Sequence, residues 1–400
     1  MNKKRWLYLG TGTILLMFCG LIYGWSLFRD PFGEVYSDWS ISQLSMTFTI
    51  SMISFCFGGF IAGKMAAKRS SKQIILLSAV LLFSGFLGVS NLNPNNSELS
   101  IILLYVFYGI IASAGVGFSY NCVISTVNKW FSDKPGLASG VMMMGFGLGS
   151  MILGGIATLL IDITGIFNIF KILGIATFIV IASGAFIIKS PSLKVDELNS
   201  QSYGLTPAQM IKMSSFWIYG LCAVLVCAAS LMVVNSAAPI ASAYGAPAIF
   251  GMLVSVSNGL GRITMGWLYD RLDRHKTLVL DILLLITGGS SLLIGALISS
   301  VYFIIAGLLF MGIAYGGSPT IAAAFIRNYY GPKHFAVNFS MINFSLIPAA
   351  LLGPPLSTFL FETGGGSYQG SFIAIVLCGF ISLGLVFMLN NACKNESNRL

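Results

Sequence analysis

Apolar runs long enough to cross a ~30 Å hydrocarbon core recur along the whole chain. They fall at about 6–28, 42–63, 74–92, 101–126, 137–161, 167–188, 215–243, 248–269, 278–299, 302–326, 335–360 and 370–390. An unbroken apolar run in lipid must satisfy its backbone polar groups within itself, so each is expected to be a helix. The result is an all-α membrane protein of twelve transmembrane helices. Composition agrees: 56% of the 400 residues are hydrophobic and only 9% charged, whereas a soluble globule carries roughly a quarter charged residues.

The spans can be tested against charge, because Lys and Arg concentrate in cytosolic loops. Lys3, Lys4, Arg5, Lys64, Lys68, Arg69, Lys72, Lys129, Lys134, Lys189, Lys194, Lys212, Arg271, Arg274, Lys276, Arg327, Lys333, Lys394 and Arg399 all fall on one side. Arg29 and Lys171 fall on the other, with Asp30, Glu34, Asp38, Glu98, Asp162 and Glu362. The expectation is a multi-pass protein of the cell (inner) membrane with both termini cytosolic. The net charge of +9 then reports topology, and nucleic acid is not an expected partner. The first apolar run follows a basic start but is long and lacks a small-x-small cleavage site, and is read as a retained first helix. Six of the seven cysteines lie in predicted spans without metal-ligand spacing, so neither disulfides, metal nor a cofactor is expected.

Residues 189–214 form the longest polar interruption and divide the chain into a bundle over 1–188, a cytosolic linker and a bundle over 215–400. The punctuation of the two halves repeats. GKMAAKRSSK (63–72) after the second span matches GWLYDRLDRHK (266–276) after the eighth, and NKWFSDKPGLASG (128–140) matches RNYYGPKHFAVNF (327–339). Recurrence at this spacing indicates two six-helix parallel repeats.

The pattern G-x-x-x-D-[RK]-x-G-[RK]-[RK] resembles the loop signature of the major facilitator superfamily. Gly266, Asp270, Arg271 and Arg274 fit, with Asp273 in the glycine position; in the first copy Ala67 replaces the aspartate and Ser70 the glycine. Asp270 and Arg271 are the gating candidates, Asp270 being expected to pair with cations on a neighbouring helix. The stretches GLIYGWSLFRDPF (20–32), VNKWFSDKPGLASGVMMMGFGLG (127–149), NGLGRITMGW (258–267) and NFSMINFSLIPAALLGPP (338–355) further resemble the oxalate/formate antiporter family, bacterial relatives of the monocarboxylate transporters. The resemblance implies that Arg262, in the place of that family's helix-eight arginine, binds the substrate carboxylate. It also puts Leu346 where the oxalate transporter has a second cation, a helix-eleven lysine.

Arg262 is anomalous on physical grounds as well. Intramembrane charges are costly and face a cavity or a partner. Position 258, one turn earlier, is asparagine, and Asp281 is expected at the start of the ninth span, so no acid is expected at comparable depth. A guanidinium without a protein carboxylate is suited to a ligand carboxylate, because its planar fork accepts both oxygens; the alternative is an arginine that snorkels or bonds to backbone carbonyls. Tyr23, Trp25, Tyr120, Tyr315, Asn343 and Phe344 are candidate cavity walls. Glycines of the fifth span and Pro348, Pro354 and Pro355 of the eleventh are candidate moving parts. The expected function is secondary active transport of small carboxylates by alternating access, as a monomer, with exchange of monocarboxylates such as formate, acetate, lactate or pyruvate. Proton-coupled symport is the runner-up, and a transporter-like membrane receptor is an alternative of another class. Catalytic arrangements and nucleotide-binding signatures are absent from the sequence, so an enzyme is not expected.

Overall fold

The computed structural model describes residues 3–191 and 203–397, and every regular element among them is helical. We number the membrane helices α1 (Lys4–Val35), α2 (Ile41–Met65), α3 (Ser71–Ser90), α4 (Ser97–Asn128), α5 (Pro135–Thr164), α6 (Ile166–Ile187), α7 (Ser214–Val234), α8 (Met252–Arg271), α9 (Arg274–Leu297), α10 (Val301–Tyr330), α11 (Phe335–Thr363) and α12 (Gln369–Ser397). Each coincides with one apolar run. Eleven are long and apolar enough to cross a membrane by composition. The exception is α8, whose twenty residues include Ser255, Ser257, Asn258 and Arg262, and this polarity is what the site described below requires.

Helix boundaries follow local chemistry. Ser40 and Ser70 close capping boxes with Gln43 and Gln73 at the starts of α2 and α3, each side-chain oxygen accepting a backbone N–H of the first turn. Asp273 does the same for α9, accepting the Lys276 N–H at 2.8 Å, and that bond holds its carboxyl below the usual carboxylate range. Ser70 and Asp273 are the two residues that replace glycine in the repeated loop signature, and both serve as N-caps of the following helix. In α11 the regular helix stops at Asn343 and resumes at Leu346. Pro348 has no N–H to offer the Phe344 carbonyl, which instead accepts from Ile347 at 3.1 Å.

The chain forms two compact units. The first comprises Met1–Asp133, Gly145–Leu198 and Phe339–Met341; the second comprises Lys134–Met144, Asn199–Asn338 and Ile342–Leu400. Residues 192–202 of the expected linker lie outside the described residues. In the first unit the core is aromatic, with Trp25, Phe32, Tyr108 and Phe170 in mutual ring contact. Arg5 anchors this unit's edge through an ion pair to Asp133 at 3.0 Å.

In the second unit the helices touch backbone to backbone. A methyl added at Gly261 would lie 2.3 Å from the Ile313 carbonyl oxygen, and one at Gly316 2.1 Å from that of Asn258, so α8 and α10 meet at van der Waals contact of their main chains. The start of α5 docks on α8 in the same way, Gly136 against Gly266 and Gly140 against the Arg262 carbonyl. One correction concerns α10. It extends to Tyr330, so Arg327, expected in a loop, is buried in the last turn with its guanidinium over the Phe335 ring at 5.9 Å.

Gly261→Val should therefore lower the thermal unfolding midpoint in detergent, overpacking of this kind costing about 1–3 kcal/mol. Gly155→Ala, where the added methyl meets nothing within 4 Å, should leave it in place or raise it. Equal midpoints for Gly261→Val and wild type would show that α8 and α10 are not held at backbone contact.

Candidate functional site

Arg262 lies nine residues before the end of α8, about 14 Å along the axis, and is 3% exposed. Its Nε–H donates to Asn258 Oδ1 at 3.0 Å, one turn earlier on the same helix. Its Nη1 donates to the Met143 carbonyl of α5 at 2.9 Å. That second bond depends on the glycine contact, because only a residue without a side chain at 140 lets α5 approach α8 closely enough to bring Met143 within reach. Arg262 thus meets in part the alternative expectation of an arginine bonded to a backbone carbonyl. The two bonds use only two of the five guanidinium N–H groups, and among the described residues no carboxylate pairs with it. The site is a buried cation held in orientation by two neutral acceptors, with its outer nitrogen, Nη2, uncommitted.

Around Arg262 the second unit supplies small and polar surfaces. Thr320 Oγ1 of α10 contacts Met143 Sδ at 3.6 Å, and Cys227 Sγ of α7 lies 3.6 Å from Ser318 Oγ. Tyr315 is buried in a cluster with Cys227, Ala228, Leu231 and Ala349, against which Leu346 packs. Asn343 is buried at the end of the first segment of α11, and Phe344, half-buried, occupies the break. Arg262, Tyr315, Asn343 and Phe344 therefore all belong to the second unit.

The first unit holds the other three candidates. Tyr23, half-buried in the 3-10 turn Gly20–Gly24, meets the Phe146 ring edge-on at 5.3 Å, and Tyr120 meets the same ring at 4.8 Å. The structure brings these two phenols together on Phe146. Trp25 is differently placed. Its indole N–H donates to the Leu44 carbonyl at 2.7 Å, and its ring packs on Phe32 and Tyr108, so its surroundings are the bundle core.

The gating candidates separate. Asp270 was expected to meet cations of a neighbouring helix. Its carboxylate accepts the backbone N–H groups of Gly136 at 2.8 Å and Leu137 at 2.7 Å, in the first turn of α5, where unpaired donors and the helix dipole favour an anion. Arg271 turns away, stacking its guanidinium over Trp267 at 4.1 Å. Asp281 is a second correction. Because α9 begins at Arg274, Asp281 lies about two turns inside the helix and is 2% exposed. α8 ends and α9 begins at one turn, so Asp281 and Arg262 lie at similar depth, and an acid does stand where none was expected. The signal was an aspartate in an apolar run; the apparent start of the run concealed it. Asn258 and Met143 were likewise missed as partners, one for being uncharged and the other because its acceptor is main chain. The described residues contain no group of three or more His, Cys, Asp or Glu that could hold a metal, and the seven cysteines are free thiols.

The chain is similar over most of its length to known transporters. It is 25% identical over 349 residues to the uncharacterized MFS-type transporter YhjX of Escherichia coli, covering 85% of this chain and 84% of that protein. It is 24% identical over 396 residues to the oxalate:formate antiporter of Oxalobacter formigenes, covering 96% and 90%. The crystal structure of the transporter FucP in the outward conformation superposes with a TM-score of 0.71 at 15% identity, covering 97% of this chain and 99% of that one, which shows a shared fold. The profile of the Major Facilitator Superfamily matches residues 6–345 and again 221–398. A membrane-spanning all-helical chain with this match is a transporter and not an enzyme, and it belongs to the Major Facilitator Superfamily.

Proposed function

We propose that this protein moves small monocarboxylates across the cell (inner) membrane by alternating access, as a monomer with both termini cytosolic, and that Arg262 is the anion site. The observation that carries the reading is the buried guanidinium with no carboxylate partner among the described residues. A charge in that position is costly unless compensated, and an incoming carboxylate can compensate it through charge-assisted hydrogen bonds to Nη2 and the remaining Nη1 proton. Loading removes the penalty and eases the conformational switch, and exchange of one anion for another follows. Similarity to an oxalate:formate antiporter supports carboxylate as the substrate class. Tyr315, Asn343 and Phe344 belong to the same unit as Arg262 and are assigned to the wall of its site; Trp25 we assign to packing. A second reading, cotransport with a proton, requires a titratable group inside the same unit, and Asp281 is one.

Arg262→Ala should insert normally and lose transport. Arg262→Lys should transport about 10- to 100-fold less, since a point charge replaces the fork and a hydrogen bond to a charged group is worth roughly 1.5–3 kcal/mol. Counterflow in proteoliposomes preloaded with formate, acetate, lactate, pyruvate, oxalate or malonate measures both. Alanine activity above half of wild type at equal membrane level would remove Arg262 from the site. Ligand binding without any counterflow would favour the receptor reading.

Leu346 packs on the Tyr315 cluster, and no charge accompanies it where the resemblance places a lysine. A dicarboxylate on Arg262 alone leaves one charge in a low-dielectric site at a cost of several kcal/mol. Oxalate should therefore compete poorly for uptake of a labelled monocarboxylate, and Leu346→Lys should shift preference toward oxalate while weakening monocarboxylate transport. Strong oxalate inhibition and oxalate counterflow in the wild type would show that one arginine suffices.

Asp270 fastens the start of α5 to α8, and we propose that this contact is part of the cytosolic gate. Asp270→Asn should raise the amide hydrogen exchange rate around Gly136 and Leu137 and change the labelling of cysteine probes on the two faces, with affinity at the loaded site retained. Exchange and labelling identical to wild type would leave the aspartate a topological residue only.

A further inference from the structure

The two copies of the repeated loop signature differ in charge balance. The second, over 266–276, carries Arg271, Arg274 and Lys276 together with Asp270 and Asp273, and Lys276 pairs with Asp273 at 3.4 Å. The first, over 63–72, carries Lys64, Lys68, Arg69 and Lys72 and no acid, because Ala67 and Ser70 stand at the two acidic positions. None of these four cations has an ion pair among the described residues. On the same face of the first unit the described residues contain one acid, Asp133, and Arg5 engages it. The loop therefore lacks a counter-ion among the described residues of its own unit.

Where this loop enters α3, its charge meets an exposed apolar surface. Lys72, in the first turn of α3, holds its ammonium over the Phe186 ring of α6 at 4.0 Å. Phe186 is 58% exposed, so the ring does not belong to the bundle core. Three residues on, just past the end of α6, Lys189 is exposed, and its carbonyl accepts the Trp130 indole N–H at 2.7 Å. That bond fixes the backbone from which the Lys189 side chain projects, and an indole at a span's end marks the level where acyl chains give way to headgroups. Along the spans from the two lysines, Leu77 and Val80 of α3 and Ile179 of α6 are exposed. The ring contact of Phe83 with Phe178 at 5.3 Å holds the two helices together. Two ammonium groups thus stand at the head of an apolar surface shared by two helices.

We propose that this corner of the first unit, Lys72 and Lys189 about Phe186, is a binding site for an anionic phospholipid. The lipid phosphate accepts from the two ammonium groups, Lys68 and Arg69 add charge from the adjoining loop, and an acyl chain lies along the exposed faces of α3 and α6. The lipid is then the counter-ion that aspartate supplies in the second copy of the loop. A cation–π contact suits the task, because it orients the Lys72 ammonium without neutralising it, whereas Asp273 neutralises Lys276. Clustered lysines and arginines beside a span attract anionic headgroups in this way. A soluble phosphate would meet the cations and leave the apolar surface uncovered, so charge and surface together select a lipid. The site is independent of the substrate assigned to Arg262.

The test titrates the purified full-length protein in detergent with phosphatidylglycerol or with phosphatidylcholine of the same acyl chains, and counts bound lipid by native mass spectrometry. Wild type should bind phosphatidylglycerol more tightly. Lys72→Gln combined with Lys189→Gln should weaken that binding by roughly fivefold for each charge removed. Ala67→Asp, which restores the acid of the second copy and removes no cation, should weaken it in the same direction. Lys276→Gln combined with Lys333→Gln, which takes two charges from the second unit, should leave it unchanged. Equal affinity of the wild type for the two lipids, or undiminished phosphatidylglycerol binding in Lys72→Gln/Lys189→Gln, overturns the site. An equal loss in Lys276→Gln/Lys333→Gln also overturns it, since attraction would then be to total charge. Displacement of phosphatidylglycerol by inorganic phosphate, but not by chloride at equal ionic strength, would mark a soluble-phosphate site and overturn the lipid assignment. Should Lys72→Gln/Lys189→Gln fail to insert, Ala67→Asp decides in its place, because acids have little influence on topology; unchanged binding there overturns the proposal.

Discussion

A guanidinium kept from water in the middle of a helix bundle is costly, and the structure around it is arranged to hold it. This guanidinium is that of Arg262. Its charge must be met by acceptors, and the fold supplies two, Asn258 Oδ1 and the Met143 carbonyl. Both are neutral, so orientation is secured while the charge is left for something else to balance.

That arrangement depends on glycine. Gly140 lets α5 reach α8, Gly136 and Gly266 extend the same seam, and Gly261 and Gly316 let α10 close from the other side. Within lipid there is no hydrophobic gain in pressing apolar helices together, so van der Waals contact between bare backbones supplies the adhesion. The same seam carries Asp270, which places its carboxylate on the first turn of α5. The start of α5 is therefore bound to α8 at three levels: a carboxylate on a helix end, a pair of glycines, and a carbonyl on Arg262. A displacement of α5 would alter the hydrogen bonding of Asp270 and of Arg262 together, because both side chains hold the start of the same helix.

Much of this was legible from residues alone. The twelve helices follow from hydropathy because in lipid a backbone segment has no alternative that satisfies its polar groups. The repeat follows from the loop signatures, and Arg262 stands out because a charge in an apolar run is expensive wherever the run folds. The N-caps Ser70 and Asp273 are likewise local, each acting on amides three residues away.

The rest was decided by tertiary packing. Asp281 looked like an end residue because its apolar run begins near it, yet four additional residues of α9 place it inside the bundle. Trp25 and Tyr23 are two residues apart with similar chemistry, and only the 3-10 turn between the segments of α1 sends one ring into the core and leaves the other half-buried. That Asp270 would accept backbone amides of a helix end was not legible, since no residue type announces such a partner. A sequence determines which groups enter the membrane, since transfer energies are properties of single residues. Which groups face each other depends on helix rotation and contact distance, and those are set by pairs of residues far apart in the chain, here largely by glycines whose role is visible only once another backbone lies against them.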